Sequence, residues 1–230
     1  MTRAGRDVEF ASNGERTRGY LVLPPRGSGP GVLVLQEWWG LVDHIRDVCD
    51  RFARQGFVAL APDLYRGKTA SDPDAAGRLM MDLEIPRAAR DLDGAVVALL
   101  SENATVGGTV GAVGFCMGGQ LALFAGTRNR RIGAVVDCYG IHPNVKLELA
   151  GLVAPVLGIF AERDGFVPPA AAKQLEAELR AAGKRADFTI LPGVDHAFLN
   201  DTRPDVYDAA AAERAWGMIV SFLRAELAAA

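Results

Sequence analysis

Four residues of this chain have side chains suited to nucleophilic catalysis: Glu37, Cys116, Asp164 and His196. A cysteine becomes a strong nucleophile once its proton is removed, and histidine is the usual base for that step. A carboxylate can fix the tautomer of the histidine and stabilise its imidazolium form. Cys116, Asp164 and His196 follow one another in the order nucleophile, acid, histidine, which is one of the chain orders in which catalytic triads occur.

Cys116 lies at the apex of a turn bracketed by glycines. The pattern Gly114-x-Cys116-x-Gly118 follows an apolar run at 109–113 and precedes an apolar segment that predicts a helix. Such a turn strains the central residue, and side chains at the flanking positions would collide with the strand and the helix. The helix N-terminus favours a thiolate and a developing oxyanion beside it. Equally, a cysteine between a strand and a helix can be a small buried hydrophobe.

The other three residues also have simpler interpretations. Asp164 precedes Gly165, and an Asp-Gly pair often forms a turn. His196 could be a polar loop residue, and Glu37 could be a solvated strand end. The catalytic interpretation depends on the combination, because three unrelated coincidences would have to fall at strand ends in the right order.

The remaining histidines and cysteines are assigned no chemistry. His142 is expected at the surface or in a pocket wall, and His44 is expected to be solvated on a helix. Cys49 and Cys138 lie in apolar runs that indicate a structural role. With no Cys-x-x-Cys partner for Cys116, thiol redox chemistry is the weaker interpretation.

The elements that must position these groups are strands alternating with helices. Asn13-Gly14 predicts a tight hairpin between two alternating runs, and further apolar runs predict six strands after it. Helices are predicted over 43–55, 87–100, 168–182 and 207–227, with one more after Cys116 and a loosely helical segment at 66–84. This alternation predicts a mostly parallel, doubly wound α/β sheet with an antiparallel N-terminal edge hairpin, in a single domain over 1–230. Ligands of such sheets collect at the carboxyl ends of the strands, where all four residues fall.

Composition excludes several classes of function. Hydrophobic residues make up 50% of the chain, charged residues 23%, and the net charge is −3. These values give no electrostatic case for nucleic acid or an anionic membrane. No apolar run has the length of a membrane span, and residues 1–7 lead into no apolar run of signal-peptide type. The three cysteines have no metal-ligand spacing. We therefore expect a cytoplasmic protein without metal or organic cofactor.

Several motifs together resemble the dienelactone hydrolases (carboxymethylenebutenolidases), and the resemblance runs from about residue 19 to 223. Gln-Glu after the third strand combined with a cysteine at the turn is its most specific part. The motifs are Gln36-Glu37-Trp38-Trp39-Gly40, Pro62-Asp63-Leu64-Tyr65, Gly114-Phe115-Cys116-Met117-Gly118-Gly119, Asp164-Gly165-Phe166-Val167-Pro168 and Gly193-Val194-Asp195-His196-Ala197-Phe198.

The resemblance implies an α/β-hydrolase fold and a hydrolase of carboxylic esters or lactones that works through a thioester. Cys116, His196 and Asp164 would form the triad, and Glu37 would be the family's additional carboxylate beside the thiol. A thiolate formed only with substrate bound would be protected from oxidation. The backbone amides of Trp38 and Met117 would form the oxyanion hole.

The chain departs from the family pattern where a substrate carboxylate would bind. Asn200 stands in place of an arginine shortly after the histidine, and Arg78 is the nearest candidate for the other arginine. Asparagine carries no charge, so the substrate is expected to be a different lactone or ester. The residues expected to contact it are Trp39, Arg78, Phe198 and Asn200, with Trp38 and Trp39 as aromatic walls or, alternatively, as core packing.

Two other functions remain open at this level. One is a general short-chain carboxylesterase or thioesterase. The other is a catalytically weak relative of the family that binds ligands, since fold alone does not fix function.

Overall fold

The computed structural model describes residues 4–12, 14–140 and 142–228, and this part of the chain contains eight strands and six α-helices. The strands are β1 (Arg6–Ser12), β2 (Glu15–Val22), β3 (Gly29–Leu35), β4 (Val58–Pro62), β5 (Thr105–Phe115), β6 (Ile132–Cys138), β7 (Val156–Ala161) and β8 (Ala186–Leu191). The helices are α1 (Asp43–Arg54), α2 (Pro73–Met81), α3 (Ile85–Ser101), α4 (Met117–Arg128), α5 (Pro169–Ala181) and α6 (Ala209–Leu227).

The strands form one sheet in the order β1-β2-β4-β3-β5-β6-β7-β8. β1 pairs with β2 and β2 with β4 in antiparallel fashion, whereas all pairs from β4 through β8 are parallel. The predicted fold class, including the antiparallel edge hairpin, is therefore confirmed. Ser12 pairs with Glu15 at the hairpin turn. Gly14 there has φ 76°, while Asn13 lies outside the described residues.

Helices cover both faces of the sheet because the parallel strands are apolar on both sides. Alternate residues of β3 point to opposite faces, so that Val32 and Val34 join one apolar cluster and Leu33 and Leu35 join the other. The first cluster is closed by α1 and α6, and the second by α3 and α4. This arrangement fixes the central strands rigidly.

Helix and strand boundaries differ from the sequence-based expectation where polar caps decide them. α2 is a defined helix within the segment expected to be loosely helical, and the side chain of Asp72 caps it by accepting from Ala75 N at 2.9 Å. α6 begins at Ala209 because Asp208 accepts from Ala211 N at 2.8 Å. β5 begins at Thr105, earlier than its apolar run.

The carboxyl ends of β3, β5, β7 and β8 lie along one edge of the sheet. Glu37 follows the last residue of β3 by two positions, and Cys116 follows β5 directly. Asp164 and His196 lie in the loops after β7 and β8. The parallel pairing therefore places the loops that carry all four residues at the same edge. None of the described helices is long and apolar enough to cross a membrane.

Candidate active site

A cavity of about 410 Å³ opens at this edge of the sheet. Three of the four predicted residues, Glu37, Cys116 and His196, line it, and Asp164 lies behind His196. The remaining lining residues come from three loops and α2: Trp38, Trp39, Pro73, Met80, Phe166, Ala197 and Arg203.

The turn at Cys116 has the geometry that its glycines predict. Cys116 has φ 53° and ψ −124°. Residues other than glycine rarely have a positive φ. A Cβ on Gly114 would collide with the carbonyl of Gly118, and a Cβ on Gly118 would collide with the carbonyl of Leu35. Only glycine therefore allows α4 to begin this close to β3 and β5.

Cys116 lines the cavity but is largely buried. Burial, and next the carboxyl group of Glu37, raise the pKa of Cys116 to about 12. Hydrogen bonds from the backbone of Met117 and Trp38 act in the opposite direction and are outweighed. The helix N-terminus thus does not suffice to ionise the sulfur, and the thiol keeps its proton near neutral pH.

His196 is held by Asp164 and by two aromatic rings. Its Nδ1 lies 2.7 Å from Oδ2 of Asp164. Since a carboxylate only accepts, we assign the proton to Nδ1, which leaves Nε2 free for reactants. The rings of Tyr139 and Phe166 lie 4.9 and 5.0 Å from the imidazole, measured between ring centroids.

Asp164 combines the two interpretations given to it from the sequence. Its Oδ1 accepts from the backbone N–H groups of Phe166 and Val167, both at 2.8 Å, as in an Asp-Gly turn. Its Oδ2 contacts His196. The turn therefore orients the carboxylate toward the imidazole.

Backbone strain is concentrated beside these groups. Four described non-glycine residues have positive φ, and three of them are Cys116, Tyr139 (φ 44°) and Ala197 (φ 64°). Tyr139 packs on His196, and Ala197 is the residue directly after His196. Strain of this kind persists where the surrounding structure fixes it, which is typical of functional sites.

Glu37 is buried at 1% exposure beside the thiol. Its Oε2 accepts a hydrogen bond from Nδ2 of Asn200 at 2.8 Å. Thr202 donates to Oδ1 of Asn200 from its backbone N–H at 3.0 Å and its hydroxyl at 2.6 Å, which fixes the orientation of the amide. Oε1 of Glu37 has no hydrogen-bond partner among the residues that the structure describes.

The loop that carries His196 and Asn200 is anchored to α1. Asp201 is hydrogen-bonded to Arg51, and Oδ1 of Asp201 lies 3.5 Å from Nδ1 of His44. Arg51 also donates from Nε to Asp47 at 2.6 Å. The expectation of a solvated His44 is wrong, because this contact and the packing of α1 bury it at 3% exposure.

The residues expected to contact substrate divide into two groups. Trp38 and Trp39 line the cavity, which favours their interpretation as walls. Phe198 and Asn200 are buried, Arg78 is exposed, and none of these three lines the cavity. Phe198 packs on Tyr139, with ring centroids 5.6 Å apart, and Asn200 is held by Glu37.

His142 also lies away from the cavity wall and is buried at 3% exposure, contrary to the expectation of a surface or wall position. Its Nε2 lies 3.2 Å from the carbonyl oxygen of Met80, and its Nδ1 accepts from Asn144 N at 3.2 Å. Burial lowers the pKa of His142. The neutral ring therefore supports the end of α2 from which Met80 reaches the cavity.

Sequence reasoning gave no cavity role to Pro73, Met80, Phe166 or Arg203. Arg203 is a charged residue shortly after His196 in the sequence. Whether its side chain reaches the cavity depends on the turn at 200–203. Phe166 follows Asp164 closely, so the turn that orients the carboxylate also directs the ring toward His196. Within the described ranges, no group of three or more His, Cys, Asp or Glu residues is arranged to hold a metal ion.

A mostly parallel sheet with this strand-turn-helix at its centre, and with acid and histidine in the later loops, defines an α/β-hydrolase. Residues 17–227 match the family model described as the dienelactone hydrolase family. The chain belongs to that family, which makes it a hydrolase of the ester and lactone class.

Relatives and solved structures agree with this assignment. The chain is 41% identical to "Protein usf" of Aquifex pyrophilus, over 96% of this chain and 98% of that protein. It is 36% identical to a protein of Aquifex aeolicus that is provisionally named carboxymethylenebutenolidase, over 97% and 99% of the two chains. The crystal structure of a protein from Klebsiella pneumoniae, provisionally named dienelactone hydrolase, superposes with a TM-score of 0.84 at 28% identity, covering 96% of this chain and 98% of that one.

Proposed function

We propose that this protein hydrolyses carboxylic esters or lactones with Cys116 as nucleophile, through a thioester to the sulfur. The observation that carries the proposal is the meeting of Cys116, His196 and Glu37 at one cavity, with Nδ1 of His196 2.7 Å from Asp164. A thiol, a base oriented by a carboxylate and a second carboxyl group are the components of acyl transfer through a covalent intermediate.

The reaction begins from the neutral thiol. Because burial and Glu37 raise the pKa of Cys116 to about 12, attack requires a proton acceptor close to the sulfur. Oε1 of Glu37 is a buried acceptor without a partner in the described chain. In the proposed step it takes the thiol proton as substrate enters, and the sulfur bonds to the carbonyl carbon.

The negative charge that develops on the carbonyl oxygen needs donors. The backbone N–H groups of Met117 and Trp38 already interact with the thiol and are the proposed oxyanion hole. Removing one such donor commonly lowers turnover by about 100- to 1000-fold.

His196 completes both halves of the reaction. As the C–O bond breaks, the leaving oxygen receives a proton from Nε2, so that the thiol proton reaches it by way of Glu37 and His196. Water then gives a proton to Nε2 and attacks the thioester, the C–S bond breaks, and His196 returns the proton to sulfur. The products are the acid and the alcohol, or a hydroxy acid from a lactone, and the enzyme is regenerated.

The proposal extends to the working environment of the protein. All three cysteines, Cys49, Cys116 and Cys138, are free and buried. A free thiol nucleophile persists best in a reducing compartment, so we place the protein in the cytoplasm as a single domain over 1–230 that acts on a small molecule.

The test is replacement of the nucleophile. Cys116→Ala is expected to lower hydrolysis of aryl esters and lactones by about 10⁴-fold or more while the circular dichroism spectrum stays unchanged. A slowly deacylated ester should leave an acyl group on Cys116 of the wild type, seen by mass spectrometry after digestion. The matched control is Cys49→Ala, which removes a buried thiol away from the cavity and should keep kcat. Ester hydrolysis that survives in Cys116→Ala would contradict the proposal.

A further inference from the structure

We propose that the substrates of this site are uncharged esters or lactones whose aromatic ring packs against Trp38, Trp39 and Phe166. The site would discriminate against the same molecules when they carry a carboxylate on that ring. The inference rests on the proposed function, because it names the substrate class of the same cavity.

Three aromatic rings form an arc that ends at the catalytic imidazole. The ring of Trp38 meets Trp39 edge-on at 5.2 Å and Phe166 at 6.1 Å, and Phe166 lies 5.0 Å from the ring of His196. Aromatic rings prefer this edge-to-face geometry with one another, so the arc is suited to receive another ring. A flat apolar group bound there would lie directly beside the reacting groups.

Phe166 is the most exposed member of the arc. Its side chain is 58% exposed, although it is a large apolar residue at the rim of a cavity. Pro73 and Met80 from α2 are further apolar residues of the lining. A ligand with an apolar surface would cover this rim and remove it from water.

The charges around the cavity oppose a carboxylate. Arg203 is the cationic residue among those that line the cavity, and its Nη2 already donates to Asp205 at 2.8 Å. Glu37 and Cys116 both line the cavity. An entering carboxylate would lose water and meet the carboxyl group of Glu37, and at Arg203 it would compete with Asp205 for Nη2.

Asn200 does not provide an alternative site for an anion. Its amide Nδ2 donates a hydrogen bond to Oε2 of Glu37 at 2.8 Å, and its Oδ1 accepts from the hydroxyl of Thr202. Asn200 is buried and is not among the residues that line the cavity, so its amide is not placed to bind an anion there.

The experiment compares two esters that differ in charge and little in reactivity. Methyl phenylacetate and methyl (4-carboxyphenyl)acetate are followed in a pH-stat, since each turnover releases an acid. We expect kcat/KM for the charged ester to be lower by about tenfold or more, chiefly through KM, which corresponds to about 1.4 kcal/mol or more. Equal or higher kcat/KM for the charged ester overturns the inference.

Variants separate the aromatic arc from the catalytic groups. Phe166→Ala should lower kcat/KM for methyl phenylacetate several-fold more than for methyl hexanoate, whereas displacement of His196 would lower both equally. Met81→Ala is the matched control, because Met81 is 51% exposed on the same helix as Met80 but does not line the cavity. An equal loss of kcat/KM for both esters in Phe166→Ala would show that the aromatic ring of the substrate does not pack against Phe166. Arg203→Met should leave the preference for the uncharged ester in place. A loss of that preference would contradict the inference, because Arg203 and not the aromatic rings would then determine it.

Binding measurements keep the inference testable if the proposed chemistry fails. Phenylacetone and its 4-carboxy derivative have the shape of the two esters and cannot be hydrolysed, so they can be titrated calorimetrically into Cys116→Ala. Tighter binding of the uncharged ketone supports the inference, and equal or tighter binding of the charged one refutes it. Failure of the proposed function is recognised differently, by ester hydrolysis that does not depend on Cys116.

Discussion

Two carboxyl groups lie beside the cavity, and their hydrogen bonding differs. Both oxygens of Asp164 are occupied, since Oδ1 accepts from two backbone N–H groups and Oδ2 contacts His196. Glu37 is equally buried, but only its Oε2 has a hydrogen-bond partner in the described structure. A carboxylate with both oxygens hydrogen-bonded is fixed in position, whereas one with a free oxygen can still accept a further hydrogen bond.

The difference assigns the two groups different tasks. Asp164 contacts Nδ1 of His196 and orients the imidazole. Glu37 lies beside a thiol whose pKa is about 12 and has the free oxygen that such a thiol requires. Substitutions that keep shape and remove charge should therefore have different consequences at the two positions.

The largest effect is expected at Asp164. Asp164→Asn should lower kcat by about 10³- to 10⁴-fold, because an amide would favour the wrong tautomer of His196. Steady-state rates on an aryl ester measure the loss. The matched control is Asp195→Asn, since Asp195 adjoins His196 but is ion-paired to Arg163 at the surface, with 3.1 Å between the charged groups. A loss under tenfold in Asp164→Asn would show that His196 does not depend on this carboxylate.

A smaller effect is expected at Glu37, with opposite signs in two assays. Glu37→Gln should lower kcat by about 100-fold, because the thiol loses its proton acceptor. Glu37 raises the pKa of the Cys116 thiol, so its removal lowers that pKa and increases the thiolate fraction at pH 8. Alkylation of the resting enzyme by iodoacetamide should therefore become several-fold faster while turnover becomes slower.

The two assays distinguish an acceptor from a structural group. If Glu37 only supported the fold of the loop, turnover and alkylation would fall together, which would contradict the assignment. Glu213→Gln on the exposed surface of α6 is the matched control and should leave both rates unchanged.

The smallest effect is expected from the residues that hold Glu37. Asn200→Ala should lower kcat by about tenfold, because a hydrogen bond to a carboxylate contributes about 1.5–3 kcal/mol. Thr202→Val removes the hydroxyl that orients the amide and keeps the backbone donor, so a loss of only a few-fold is expected. If Thr202→Val costs more than Asn200→Ala, the amide is not what positions Glu37. Pre-steady-state burst kinetics would show whether the loss lies in acylation, as this assignment requires.

Much of the fold could be predicted from periodicity and turn residues. The continuous apolar runs of β3 and β4 indicate strands buried on both faces, and the parallel pairing of those strands is confirmed. The carboxyl-end rule then brings Cys116 and His196 to one cavity without knowledge of any side-chain contact. These predictions succeed because they depend on the backbone alone.

Side-chain partners and cavity walls could not be predicted in the same way. Asn200 was expected at the substrate, but the orientation imposed by Thr202 directs its amide to Glu37. His44 was expected in solvent, but Asp201 from a distant loop covers it. Both outcomes depend on contacts between residues more than 150 positions apart in the chain, which no local pattern contains.

The narrow turn around Gly118 has a consequence for variation of this enzyme. A single methyl group on Gly118 would press on the carbonyls of Leu35 and Gln36, immediately before Glu37. The absence of a Cβ at position 118 therefore lets Cys116 and Glu37 lie as close together as they do. Laboratory evolution should therefore find new specificities by exchanging the residues around the mouth of the cavity, while position 118 tolerates no replacement.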